Sequence, residues 1–164
     1  MTLLTLTLSF FLLMINPQGY TDNRVSEPET LWLPYEEALD QAQASGKPLL
    51  IFVTAEWCVH CQTMKRESFT KNDIRRTLKQ NYHPVLLDLD SREKLRFRDE
   101  EITERELARK LNVQTTPTTF FLDADEKVMG SHEGFIDTER LKDLLSFVIS
   151  DHFGEMSFES YRDM

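Results

Sequence analysis

The chain has 164 residues, 29% of them charged, with a formal net charge of −9 and only two cysteines. That length suits one domain plus a leader, and it is enough to bury a core without disulfide staples. The acidic balance would repel phosphate over most of the surface, which excludes nucleic acid as a partner.

Residues 1–21 contain no Asp, Glu, Lys or Arg, so all of the charge is carried by residues 22–164. Within the uncharged stretch, Leu3 to Ile15 is an apolar run of 13 residues, short of the roughly 20 that a spanning helix needs. It ends at Asn16-Pro17-Gln18-Gly19, whose residues break helices. The segment reads as a signal peptide or membrane anchor, although no basic residue precedes it and no Ala-x-Ala follows. Either way the remainder is expected to be exported, in a periplasmic-type compartment where disulfides persist. Residues 22–30 are polar and read as a linker. A domain over 31–150 and a C-terminal tail over 151–164 complete the chain.

Tyr35, Ala38, Leu39 and Ala42 recur at helical spacing, with Pro34 at the start of the helix and Gly46 at its end. Leu49 to Thr54 is a continuous apolar run, the pattern of a strand buried on both faces. A helix from about Cys58 to Glu67 comes next. Thr70-Lys71-Asn72-Asp73 then caps a short helix whose apolar edge is Ile74 and Leu78. Val85, Leu87 and Leu89 alternate with acids and mark a second strand from about Pro84 to Leu89. Ser91 to Glu101 is dense in charge of both signs and reads as a solvated loop.

Thr103-Glu104-Arg105-Glu106 is a capping box, ahead of a helix that buries Leu107, Ala108 and Leu111. Thr118 to Leu122 and Lys127 to Ser131 are strands joined as a hairpin through Asp123-Ala124-Asp125-Glu126. Asp137 caps a last helix with Leu141, Leu144, Leu145 and Val148 on its buried side. The tail carries Phe153, Phe158 and Tyr161 without a period, and is either docked or disordered. Strands separated by helices need parallel crossovers, and the late hairpin adds an antiparallel pair. The fold class is therefore α/β, a mixed central sheet covered on both sides by helices.

The chemistry lies in Glu56-Trp57-Cys58-Val59-His60-Cys61, between a strand and a helix. Zinc needs a second pair of ligands, and His60, His83, His132 and His152 show no His-x₃₋₅-His spacing, so no metal or other cofactor is assigned. Redox chemistry remains. A thiolate attacks a disulfide, and Cys58 at a helix start gains from unpaired N–H groups and the helix dipole. Cys61 lies nearly a turn deeper, as suits a resolving thiol. His60 adds a positive charge or a donor beside the sulfur, or else faces solvent with no role. Lys65 shares the helical face and reads as an ordinary surface lysine or a long-range aid. Trp57 either covers the sulfur and offers a partner an aromatic surface, or packs in the core. Thr115-Thr116-Pro117 opens the third strand, and the sequence does not assign its isomer.

These pieces, with Gly134-Phe135 before the last helix, resemble the thioredoxin superfamily in order and spacing across about residues 30 to 150. The resemblance implies a thioredoxin-like three-layer α/β/α fold with an additional N-terminal helix. Two exported groups look similar. The C-terminal domain of the DsbD reductase matches Trp57-Cys58-Val59 and Gly134-Phe135-Ile136-Asp137. SoxW-like periplasmic thioredoxins match Glu106-Leu107-Ala108, Val113 and Thr116-Pro117-Thr118. By resemblance, Cys58 is the nucleophile, Cys61 the resolving thiol, Pro117 cis and facing them, and Thr116 offers its backbone to a substrate segment.

Two departures stand out. Phe52 occupies the place of a buried Asp that many relatives carry, and His60 stands where the oxidising DsbA proteins also have His. The function expected is a monomeric, exported reductase of protein disulfides, drawing electrons from a thiol donor such as a membrane reductase. The alternatives are a disulfide oxidant and a non-enzymatic copper- or apoprotein-binding maturation module.

Overall fold

All six side chains of Leu49–Thr54 are buried, because this apolar run forms a strand flanked on both edges and covered on both faces. In the computed structural model, which describes residues 30–164, it is the strand around which the others are laid. The expected leader (1–21) and all but the last residue of the expected linker (22–30) lie outside the described residues.

The elements in order are α1 (Tyr35–Ser45), β1 (Leu49–Thr54), α2 (Val59–Glu67), α3 (Asn72–Asn81), β2 (His83–Asp88), β3 (Lys94–Phe97), β4 (Glu100–Thr103), α4 (Glu104–Lys110), β5 (Thr118–Leu122), β6 (Val128–Glu133), α5 (Thr138–Val148) and α6 (Phe158–Arg162). The main sheet has the order β2-β1-β5-β6. β2 runs parallel to β1, β5 antiparallel to β1, and β6 antiparallel to β5. It is the mixed sheet between helical layers that the sequence implies.

Side chains alternate across a strand, so β1 feeds two cores. Leu50 and Phe52 face α2, α3 and α5, meeting Met64, Ile74, Leu78, Leu141 and Leu145. Leu49, Ile51 and Val53 face α1 and α4, meeting Tyr35, Ala38, Ala42, Leu107 and Ala108. The helix ends follow their sequence signals. Gly46 ends α1 at φ +72, a left-handed conformation that glycine adopts without a Cβ clash. Thr103 and Glu106 close a capping box on α4, and Asp137 accepts the Arg140 N–H on α5 at 2.9 Å. At α3 the cap is weaker than expected. Lys71 occupies the cap position with no side-chain bond, and Asp73 takes the Ile74 N–H at 3.0 Å.

Two expectations need correction. Ser91 to Glu101 is not a solvated loop: most of it joins the antiparallel hairpin β3–β4. Leu95, Phe97 and Ile102 are buried against α1 and α4, one apolar face of the hairpin hidden among charges. The hairpin is tied down by carboxylates. Glu36 accepts the Arg96 N–H at 2.7 Å, and Glu126 accepts the Arg98 N–H at 2.9 Å and the Tyr35 hydroxyl at 2.7 Å. Burial, and then Glu126, push the Tyr35 phenol well above its ordinary range.

The fourth strand of the main sheet runs on to Glu133 rather than ending at Ser131. Of the two states open to the tail, it takes the docked one. Phe153, Phe158 and Tyr161 pack around Phe147 with ring centroids 5.4, 5.7 and 5.1 Å away. α6 is also held to α5 by the ion pairs Arg140–Glu159 and Arg162–Asp143. Among the described residues, no helix is long and apolar enough to cross a membrane.

Candidate active site

β1 ends at Thr54, and the chain turns at once, with the Cys58 N–H donating to the Ala55 carbonyl at 3.2 Å. Cys58 is the N-cap of α2, and its Sγ accepts the Cys61 N–H at 3.1 Å. Helix N-termini leave such donors without partners in the helix, so one of them is aimed at this sulfur. The two cysteines are joined as a disulfide with Cα atoms 5.2 Å apart. Cys58 is 5% exposed and Cys61 is 0% exposed, so any attacker from solvent reaches Cys58 first.

The turn is braced from β2. The Leu89 N–H donates to the Thr54 carbonyl at 2.9 Å, and the Glu56 N–H donates to Asp90 Oδ2 at 3.3 Å. Sequence reasoning missed Asp90; its only signal was an acid just past an alternating strand. Gln62 Nε2 donates to the Glu56 carbonyl at 3.4 Å from the helix side.

The register pairs Val53 with Thr118, which carries the start of β5 to the end of β1 from which the cysteine turn emerges. The Thr116–Pro117 bond there is cis. The Pro117 carbonyl accepts the Gly134 N–H at 2.8 Å, and the next residue, Phe135, sets its ring 5.6 Å from the His60 ring. His60 is exposed. Trp57 is 68% exposed, Val59 75% and Phe135 46%, so Trp57 is no core residue, and three apolar side chains border the motif in solvent. Lys65, on the same helix, is half-buried.

Phe52 is fully buried in an aromatic group. Its ring lies 6.0 Å from Trp32 and 4.8 Å from Phe69. Its neighbour on β2 is Leu86. Beneath the disulfide, then, the core is apolar. The Oγ1 atoms of Thr54 and Thr116, which flank the site, are buried without a hydrogen-bond partner.

The other titratable groups do different work. The buried His83 bonds Ser45 Oγ at 2.8 Å and Gln41 Oε1 at 3.0 Å, and burial pushes its pKa down. Burial, with help from Arg140, does the same to His132. Glu104, the first residue of α4, is pushed above the usual carboxylate range by burial while accepting the Asp88 N–H at 3.1 Å, at the end of β2 that pairs with Thr54. No group of three or more His, Cys, Asp or Glu among the described residues could hold a metal ion. A 570 Å³ cleft lined by Trp32, Gln41, Tyr82 and His83 has neither cysteine in its wall.

A family model described as a thioredoxin-like domain matches residues 35–149. The thiol:disulfide interchange protein DsbD of Cronobacter sakazakii is 33% identical over 98 residues, 58% of this chain and 16% of that protein. This chain therefore spans about a sixth of that curated relative. Two solved structures share the fold. A thioredoxin-fold protein from Helicobacter pylori matches 72% of this chain and 83% of its own, with TM-score 0.62 and 18% identity. A thioredoxin from Thermus thermophilus matches 71% and 85%, with TM-score 0.59 and 28% identity.

Proposed function

The chain belongs to the thioredoxin-like domain family, and from that premise we propose that it is an exported thiol–disulfide oxidoreductase that reduces protein disulfides through Cys58 and Cys61. The observation that carries this is the disulfide at the head of α2, with the Cys61 N–H aimed at Cys58 Sγ. A donor in that place favours the thiolate over the thiol, and the more accessible of the two sulfurs receives it.

In the forward reaction, the Cys58 thiolate attacks one sulfur of the substrate disulfide. A mixed disulfide forms, and the other substrate sulfur leaves as a thiolate and takes up a proton. Cys61 then gives up its proton and attacks Cys58 Sγ. The Cys58–substrate bond breaks, the second substrate sulfur leaves with the electron pair, and the Cys58–Cys61 bond forms. Two electrons have moved to the substrate. Its two thiolates take up the proton released by Cys61 and one from water, to which Cys58 had lost its own. A thiol donor, such as a membrane reductase, restores the dithiol.

Trp57, Val59 and Phe135 provide apolar surface for a protein segment, and Thr116 and Pro117 its backbone contact. Export rests on the apolar run Leu3 to Ile15, and the enzyme acts as a monomer whose domain spans 31–150, with the tail 151–164 packed on it.

His60, exposed and directly before Cys61, favours a second reading, an oxidant of protein thiols, because a cation there stabilises the reduced form. The reduction potential separates the two. A value near about −270 mV with insulin reduction supports the reductase, and one near about −120 mV supports the oxidant.

A further inference from the structure

Thr54 closes β1 immediately before the cysteine turn, after five apolar residues. It is 2% exposed, yet its hydroxyl has no hydrogen-bond partner. Such an arrangement is disfavoured, and valine would fill the same space without the unmet polar group. The hydroxyl is explained if it has a partner in another state of the protein.

The alternation of β1 puts Thr54 on the same face as Leu50 and Phe52, which pack in one cluster with Cys58 and Cys61. Ala55, the next residue, belongs to that cluster and takes the Cys58 N–H at 3.2 Å, so the turn that carries the sulfurs starts at the residue after Thr54. Phe52, Ala55, Met64, Phe69 and Ile136 make up the buried surroundings. Phe52 stands where relatives in the resemblance carry an acid, and the side chains buried in that cluster include no carboxylate. As a disulfide, the pair is neutral and asks nothing of these neighbours. Once reduced, it must carry negative charge on sulfur in an apolar setting, where a single donor has a large effect.

We propose that Thr54 is the hydrogen-bond donor to the Cys61 sulfur in the reduced protein, idle in the disulfide form and engaged when that bond is broken. This rests on the dithiol-exchange reading above. In the resolving step Cys61 loses its proton to water, its sulfur attacks Cys58 Sγ, and the substrate sulfur leaves with the electron pair of the broken bond. Donation from Thr54 holds the Cys61 pKa down and raises the fraction ready to attack.

The test needs no substrate. In the full chain carrying Cys58→Ala, Cys61 is the sole thiol, and its ultraviolet thiolate absorbance is titrated with and without Thr54→Val. The expected result is a Cys61 pKa about one unit higher with valine, a tenfold smaller thiolate fraction well below the pKa. Thr54→Ser should return it toward the parent value. An unchanged or lowered pKa with valine, or serine titrating like valine, overturns the proposal. Failure of the unmutated protein to reduce insulin would instead remove the protein-disulfide reductase reading and leave the titration to stand by itself.

Discussion

On the face of the sheet that carries the disulfide, β1 presents Leu50 and Phe52 to α2, α3 and α5, and the Trp32–Phe52–Phe69 group packs beside the cysteines. On the opposite face, carboxylates hold the parts together. Glu36 secures β3 and Glu126 the turn after it, Glu104 takes the Asp88 N–H, and Glu126 joins α1 to the β5–β6 turn through Tyr35. Glu126 is the one acidic residue buried among the described residues, and its bond to Tyr35 puts it on that second face. The difference follows from what each face undergoes. A carboxylate buried among the apolar neighbours of the cysteines would repel the thiolate and raise its pKa, whereas Asp90, which braces the turn, is exposed to solvent. On the face where no charge changes, a carboxylate is free to serve as a fixed acceptor.

The sharpest break in this comparison comes from the cysteines. Cys58→Ser is expected to reduce insulin turnover to background. Cys61→Ser should still attack and accumulate mixed disulfides through Cys58, read on non-reducing gels; trapping seen only in Cys58→Ser would reverse the roles. Next in size, Phe52→Ala removes the aromatic centre of the disulfide face and should lower stability by about 3–5 kcal/mol in urea unfolding.

On the other face, Glu126→Ala leaves the Arg98 N–H and the Tyr35 hydroxyl without their acceptor and should lower stability by about 1–3 kcal/mol. Hydrogen exchange should quicken in β3 and β4 while insulin reduction stays near the unmutated rate. Loss of activity with no loss of stability would mean the two faces are coupled. The smallest effect is that of acid. The folded pKa of His83 is depressed below its unfolded value by burial, so the unfolded chain binds the proton more readily. Its contribution is complete above about pH 6.5 and is lost as pH falls through the lower folded value. His132 has the same sign. Urea midpoints measured from pH 7 to 5 should fall, and His83→Gln should flatten part of that slope.

Much of the architecture was legible because single residues carried it. The apolar run Leu49 to Thr54, the capping box at Thr103 and Glu106, and Gly46 each specify local structure through one physical demand. The cysteine pair was legible as chemistry because no other cysteine or ligand set competes for it. The hairpin was not, since Leu95, Phe97 and Ile102 are too few among charged neighbours to show a period. Its anchors, Glu36 and Glu126, come from distant parts of the chain. Phe153, Phe158 and Tyr161 hid the docked tail for a related reason: they converge on Phe147 from a turn and a five-residue helix. Thr54 looked like the end of a strand, and only its missing partner in three dimensions sets it apart.

The hairpin has one more consequence. Arg96 lies in β3, and Arg98 opens the turn to β4 at φ 48, so the N–H groups of both stand outside the β3–β4 ladder. Glu36 and Glu126 occupy both. An unclaimed strand edge is a template for adding a strand from another molecule. With the Arg96 donor taken and charged side chains standing alongside, β3 is a poorer template for a second copy. Glu36 thus guards an edge as well as fastening it, and Glu36→Ala is the change that would bare that donor.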